Sequence, residues 1–219
     1  MIKFDNVSKS FPNGHQALTN LNLHLPKGEM AFLTGHSGAG KSTLLKLLAL
    51  IERPTRGQLF VNGRNLNSIH KNLIPYYRQH LGLVFQDNQL LQDRSVFDNV
   101  ALPLVIKGMG KKDITRRTEA ALDQVELLNK ARSLPLDLSS GEQQRVGIAR
   151  AIVSKPMLLL ADEPTGNLDP ELSWDILQLF KRFNEVGVTV LIASHDLSLI
   201  DQMDQPVITL SHSRLTSTS

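Results

Sequence analysis

Residues 30–51 read MAFLTGHSGAGKSTLLKLLALI, and three kinds of local physics follow one another within them. MAFLTG, Met30 to Gly35, is a short continuous apolar run, the pattern of a strand buried on both faces. GHSGAGKS, Gly35 to Ser42, then matches G-x-x-x-x-G-K-[ST]. A chance match in a chain of this length has odds of about one in a hundred. The glycines let backbone amides turn inward onto phosphate oxygens with no Cβ in the way. The candidate phosphate contacts are Gly35, His36, Ser37, Gly38, Ala39, Gly40, Lys41, Ser42 and Thr43. Lys41 is placed to bridge the β- and γ-phosphates of a nucleotide, and the Ser42 hydroxyl to bind Mg2+. The bland alternative is a glycine-rich helix entry without a ligand, and His36 reads best as a filler facing solvent. The helix that follows, KSTLLKLLALI, is apolar nearly all round and so is expected to be buried.

Further buried-strand runs lie downstream: LGLVF (Leu81 to Phe85), MLLLAD (Met157 to Asp162) and VTVLIASH (Val188 to His195). Helical patterns alternate with them, which argues for a parallel α/β sheet. Such sheets bind ligands at the carboxyl ends of their strands. Four strand ends supply polar groups there: Gly35, Gln86, Asp162 and His195. In LLLADEP the strand period of two sends Asp162 and Glu163 to opposite faces. Asp162 is then the metal-side carboxylate and Glu163 the general base for an attacking water.

The first third otherwise reads as antiparallel sheet. Met1 to Phe11 alternates loosely, Leu18 to Leu25 alternates cleanly, and Gln58 to Val61 runs into the hairpin signal Asn62-Gly63. The middle, Asn88 to Leu138, holds no buried-strand run and reads as a helical insertion. Asp113 is placed to cap a helix whose stripe is Ile114, Thr118, Ala121, Leu122, Val125 and Leu128. Within DRSVFDNVALPLVIKG, Val96 and Leu104 are expected at the surface, beside Gln86, as part of a partner-binding groove. The polar tail LTSTS is expected to fray.

Bulk properties bound the class without choosing it. A chain of 219 residues that is 41% apolar and 21% charged can bury a real core. The net charge of +3 suits a nucleotide, a membrane surface or a nucleic acid equally. Zero cysteines exclude disulfides and thiolate metal sites. No basic start with an apolar run suggests a signal peptide, and no stretch of 18 apolar residues occurs. Contact with a membrane is therefore expected to go through a partner.

LSSGEQQRVGIAR, Leu138 to Arg150, completes the reading. Ser139 and Glu142 have the spacing of a capping box. Ser140, Gly141 and the Gln/Arg run are left over, and a helix N-terminus preceded by small residues is a ready anion site. The phosphate loop, Gln86, LSSGEQ, LLLADE, Asp169 and His195 occur in the order found in ABC-transporter ATP-binding subunits, and the chain resembles that family over almost its whole length.

The resemblance implies one ABC ATPase domain over residues 1–219, an α/β P-loop NTPase core with a mostly parallel sheet. Residues 1–87 and 151–219 would form the RecA-like core plus an N-terminal antiparallel β-subdomain. Residues 88–150 would form a helical subdomain carrying the signature segment. It also implies a head-to-tail homodimer in which Ser139, Ser140, Gly141 and Glu142 of one copy face the ATP on the other, with Asp169 organising the interface. Phe11 would stack on adenine, Gln86 would join Ser42 and Asp162 around Mg2+ and sense the γ-phosphate, and His195 would hold γ-phosphate and water. An integral membrane protein would be the partner. Ser140 stands where the family has glycine; if that position needs positive φ, its Cβ costs roughly 1 kcal/mol. A nucleotide-gated scaffold without turnover would carry the same sites. A DNA-repair ATPase would need hundreds of coiled-coil residues between phosphate loop and signature, and only a short insertion separates them here.

Overall fold

The computed structural model describes residues 1–166 and 168–218. Two sheets carry the fold. The antiparallel one holds β1 (Ile2–Ser10), β2 (Gln16–Leu25), β4 (Arg56–Val61) and β5 (Arg64–Asn65) in the order β2-β1-β4-β5. Asn62 and Gly63 turn β4 into β5, with Val61 opposite Arg64. The six-stranded sheet holds β3 (Met30–Thr34), β6 (Leu81–Val84), β7 (Leu158–Asp162), β8 (Thr189–Ala193), β9 (Val207–Ser211) and β10 (Arg214–Thr218). Its order is β10-β9-β3-β8-β7-β6, parallel throughout except that β10 runs antiparallel to β9.

Period two explains why its central strands β3, β7 and β8 are apolar at nearly every position. Met30 and Phe32 of β3, Leu159 and Ala161 of β7, and Val190 and Ile192 of β8 enter one core cluster. Ala31 and Leu33, Leu158 and Leu160, and Leu191 and Ala193 enter the other. The second cluster also takes α1 (Lys41–Leu48) and the inner face of the antiparallel sheet, through Leu44, Leu47, Ile2 and Phe4. The first takes α3 (Val96–Ile106), α4 (Lys111–Gln124), α5 (Ser140–Ile152), α6 (Pro170–Glu185) and α7 (Leu197–Met203). Each fully buried leucine contributes about 1.5–3 kcal/mol. Strand ends are thereby held rigidly at one edge, where the polar groups collect.

Several local expectations shift. The α1 helix stops at Leu48 rather than continuing to Ile51, because the short helix α2 (Ile74–Arg78) closes its end. The buried Tyr77 hydroxyl donates to the Leu48 carbonyl at 2.6 Å, and Arg78 donates to Ala49 and Leu50 carbonyls at 3.0 and 2.9 Å. The α4 helix is capped by Gly110, not Asp113; Asp113 sits inside the first turn and accepts from Arg116 at 2.8 Å. Thr118, Ala121, Leu122 and Val125 of the stripe are buried as expected, but Leu128 lies beyond the helix and is exposed.

Ser219 lies outside the described residues, but over residues 215–218 the polar tail does not fray. It forms β10, paired along β9, and the turn before it is tied to β2: Thr19 N–H donates to the Ser213 carbonyl, and the Ser213 hydroxyl to the Gln16 carbonyl, each at 2.7 Å. Backbone pairing needs no apolar side chain, which is why composition misread it.

Val96 and Leu104 are fully buried, not at the surface. Both turn inward from α3 against the helices beside it. The exposed large apolar residues of this segment are instead Val105 and Ile106, the latter 64% exposed.

Candidate functional site: a phosphate cleft at the strand ends

The chain leaves β3 into a loop whose glycines are there for close approach. Gly35 has φ +146°, and a Cβ on it would run into the Leu210 carbonyl of β9. Gly40 has φ +107°, and a Cβ there would run into the Ala17 carbonyl of β2. Gly40 is also the N-cap of α1 and makes no side-chain cap. The first amides of that helix therefore face the cleft as free donors, a ready site for an anion. Lys41 is buried, and its Nζ donates to the Gly35 carbonyl at 2.8 Å. The same ammonium lies 3.8 Å from Glu163 Oε1.

The cleft has a volume of about 550 Å3. The whole loop from Gly35 to Thr43 lines it, together with Gln86, Glu163 and His195. Three of the four strand ends singled out in the sequence thus meet here. His36 is exposed, as expected, but it is not idle. Its Nδ1 bonds the Ser37 carbonyl at 2.8 Å, and its ring tilts against His212 in the β9–β10 turn with centroids 5.5 Å apart.

Asp162 and Glu163 face different spaces, though not through strand pleat alone. Asp162 is the last residue of β7, whereas Glu163 lies beyond it with φ +49°. A non-glycine residue in that region costs roughly 1–2 kcal/mol, and such strain is tolerated where surroundings over-determine the conformation. Here the Glu163 amide donates to the Ala193 carbonyl at 2.9 Å. Its Oε2 lies 2.7 Å from His195 Nδ1. The carboxylate is thereby held between Lys41 and His195, mostly buried and aimed into the cleft.

Asp162 opens on a neighbouring small cavity that Ser42 and Phe85 also line. Its Oδ1 is buried without a hydrogen-bond partner. An orphaned carboxylate oxygen beside a serine hydroxyl fits a hard, oxygen-ligated cation such as Mg2+. Gln86 lines the phosphate cleft rather than this cavity. Among the described residues no three His, Cys, Asp or Glu side chains gather to make an all-protein cage. Mg2+ commonly binds through one or two carboxylates plus substrate phosphates, so the donor set suits it.

The segment at Ser139 folds as its spacing predicts. Ser139 Oγ accepts from the Glu142 amide at 3.3 Å, and the Ser139 amide donates to Glu142 Oε2 at 2.9 Å. Lys130 also pairs with Glu142. That hydrogen bond, followed by the one from Ser139, holds the Glu142 carboxyl below its ordinary range. Ser140 is the first residue of α5, exposed, and is not among the positive-φ residues, so the strain expected of its Cβ is absent. Gly141 is buried against Leu172 of α6. None of Ser139, Ser140, Gly141 and Glu142 lines the phosphate cleft. Ser140 instead lines an adjoining groove of about 370 Å3 with Gln86 and Gln143. Asp169 caps α6, its Oδ1 accepting from the Leu172 amide at 3.0 Å, and is exposed.

Phe11 does not line the phosphate cleft, but His15 does. The two rings stack with centroids 6.3 Å apart and planes 10° from parallel. Lys9 Nζ stands 4.9 Å from the Phe11 centroid. Sequence reading missed His15. The signal for it was the Asn13-Gly14 turn, which folds the chain back so that the Phe11 amide donates to the His15 carbonyl at 2.9 Å.

Comparison with known proteins bears on the family and the fold. The ABC transporter family matches residues 18–166. The cell division ATP-binding protein FtsE of Escherichia coli (strain K12) is 56% identical over 215 residues, covering 98% of this chain and 97% of that protein. A solved dimeric structure of the bacterial ABC transporter cassette MJ0796 superimposes with a TM-score of 0.91 at 34% identity, covering 100% of this chain and 98% of the other. The same cassette solved as a post-hydrolysis dimer bound to ADP and Pi gives a TM-score of 0.91 at 33% identity, with the same coverage.

Proposed function

The chain belongs to the ABC transporter family, and from that premise we propose that it is the ATP-hydrolysing subunit of a cell-division system whose membrane partner is FtsX. It works as a peripheral homodimer at the cytoplasmic face of the bacterial inner membrane, at the septum. There ATP cycling drives FtsX and regulates peptidoglycan hydrolysis.

The observation that carries this reading is the grouping of Lys41, Glu163 and His195 in one cleft without any of Ser139, Ser140, Gly141 and Glu142. One chain holds the hydrolytic half of a site and carries the signature half elsewhere, with Ser139 and Ser140 exposed. Residues 88–150 act as the helical subdomain and present α5 to a second copy, with the Asp169 caps at the interface. In the closed dimer the α5 N-terminus of one copy meets the γ-phosphate bound by the other, where its dipole favours the negative charge. Lys41 exchanges the Gly35 carbonyl for the β- and γ-phosphates. Phe11 and His15 stand at the adenine side.

Glu163 accepts the proton of the attacking water, and His195, held by Glu163, orients the γ-phosphate and that water. Gln86 reports γ-phosphate to the groove it shares with Ser140. Ser42, Asp162 and Gln86 would hold Mg2+, which supplies neutralisation of charge on the phosphate oxygens. Hydrolysis removes the γ-phosphate that joins the two copies, so the dimer opens.

The reading is supported by the identity with FtsE and by the dimeric cassettes of the same fold. Among the described residues no helix is long and apolar enough to cross a membrane. A tagged chain recovered from detergent-solubilised membranes of its host tests it. FtsX as the integral protein retained is expected. Recovery instead of the membrane subunit of a lipoprotein-releasing (LolD-like) or MacB-like export system would replace the division role. Negligible steady phosphate release would favour a nucleotide-gated scaffold.

A further inference from the structure

A second large groove lies on the opposite edge of the six-stranded sheet. Chain direction places it there: Lys27 precedes β3, Met157 precedes β7 and Val188 precedes β8, whereas Gly35, Glu163 and His195 follow those strands into the phosphate cleft. The groove has a volume of about 740 Å3. Buried Ile152, Pro156 and Phe183 contribute its apolar lining. Val186 also lines it and is 78% exposed, and Met157 beside it is partly exposed.

Every charged residue lining the groove is a cation. Lys27 comes from the β2–β3 turn, Arg116 and Arg117 from α4, and Lys155 from the link between α5 and β7. Arg116 pairs with Asp113. Among the described residues, Lys27, Arg117 and Lys155 have no carboxylate within ion-pair distance. Three cations without an ion-pair partner thus line a groove that also holds exposed apolar surface, which complements an acidic ligand carrying an apolar group. An apolar centre with a charged rim is also the usual make-up of a protein interface.

We propose that this groove binds an acidic peptide segment of a partner protein. An apolar side chain of the segment sits against Ile152, Pro156 and Phe183, and its carboxylates pair with Lys27, Arg117 and Lys155. The cations stand on three separate elements rather than at one end. That distribution matches carboxylates spread along a peptide and not the single headgroup of an acyl chain. The occupant touches α4 and the α6–β8 turn together, so it bridges the helical segment and the sheet core.

A phage-displayed library of random peptides, panned on the full-length protein, supplies the probe, and selected sequences are then measured as synthetic peptides by fluorescence anisotropy. Enrichment of Asp and Glu around an apolar residue is expected. Binding should weaken with rising salt. It should also weaken about tenfold or more in the Lys27→Glu/Arg117→Glu/Lys155→Glu variant, with ATP turnover unchanged. Should that variant lose turnover, Val186→Glu is the second probe, expected to weaken the same peptides by adding a repelling carboxylate at the rim. Selected peptides without acidic enrichment, or acidic peptides indifferent to these substitutions, would overturn the proposal. So would phosphatidylglycerol vesicles that bind through the same three cations while no acidic peptide is selected.

Discussion

Replacing Glu163 by glutamine tests the chemistry and the dimer cycle at once. The substitution keeps length, shape and an accepting oxygen for His195 Nδ1, now 2.7 Å from the carboxylate. The backbone at φ +49° is no worse for glutamine than for glutamate, so the loop should hold its conformation. The ammonium of Lys41, 3.8 Å away, retains the Gly35 carbonyl at 2.8 Å or moves to phosphate. Only proton acceptance is removed. Losing general-base assistance slows turnover by roughly 10²–10⁴-fold, which is about 2.7–5.4 kcal/mol in the barrier at 1.36 kcal/mol per tenfold. Nucleotide binding should survive, and because hydrolysis is what separates the copies, the variant should collect as an ATP-bound dimer. Phosphate release and size-exclusion chromatography with ATP and Mg2+ read the two effects. A Glu163→Gln protein that stays monomeric and hydrolyses ATP near the wild-type rate would refute both the base and the clamp.

Lys41→Ala removes the one ammonium buried in the cleft, so ATP binding should be lost and the protein should remain monomeric; fluorescent-nucleotide titration checks this, and affinity within a few-fold of wild type would count against the cleft. Ser140→Gly relieves no positive φ, so association in sedimentation velocity should be no tighter, while the exposed helix start loses roughly 0.5 kcal/mol. The Glu142 carboxyl is held below its ordinary value by Lys130 and Ser139, so it contributes stability above the unfolded-state value that is lost as pH falls through the folded one. Lys130→Met should therefore lower stability at neutral pH and flatten the acid limb of the melting-temperature profile; an unchanged profile would remove Lys130 as the cause.

What was legible in the chain alone shares a physical origin. The Ser139–Glu142 box and the Asn62-Gly63 hairpin are specified by contacts within a few residues. The strand, glycine loop and start of the helix from residue 30 are marked by residue types at fixed spacing, although Gly35 and Gly40 meet β9 and β2 and the helix end is set by Tyr77 and Arg78. Their spacing is their geometry, so the glycine loop and its lysine could be located along the chain without a fold. The buried strands were legible too, because a sheet covered on both faces demands apolar residues at every position.

What the tertiary structure decided rests on contacts between residues distant in sequence. Pleat suggested opposite faces for Asp162 and Glu163. The actual direction of Glu163 comes from a positive φ held by the Ala193 carbonyl at the end of β8 and by His195 just beyond it. His15 reaches the cleft only because a turn folds it against Phe11 and β2 brings it past the loop. Val96 and Leu104 point inward because α4 and α5 pack beside α3, and one helix read alone does not reveal which side its neighbours cover. The polar tail becomes β10 through backbone hydrogen bonds to β9, a partner that side-chain composition does not encode. Local spacing wrote the motifs of this chain; only the packing of distant segments determined which way their side chains face.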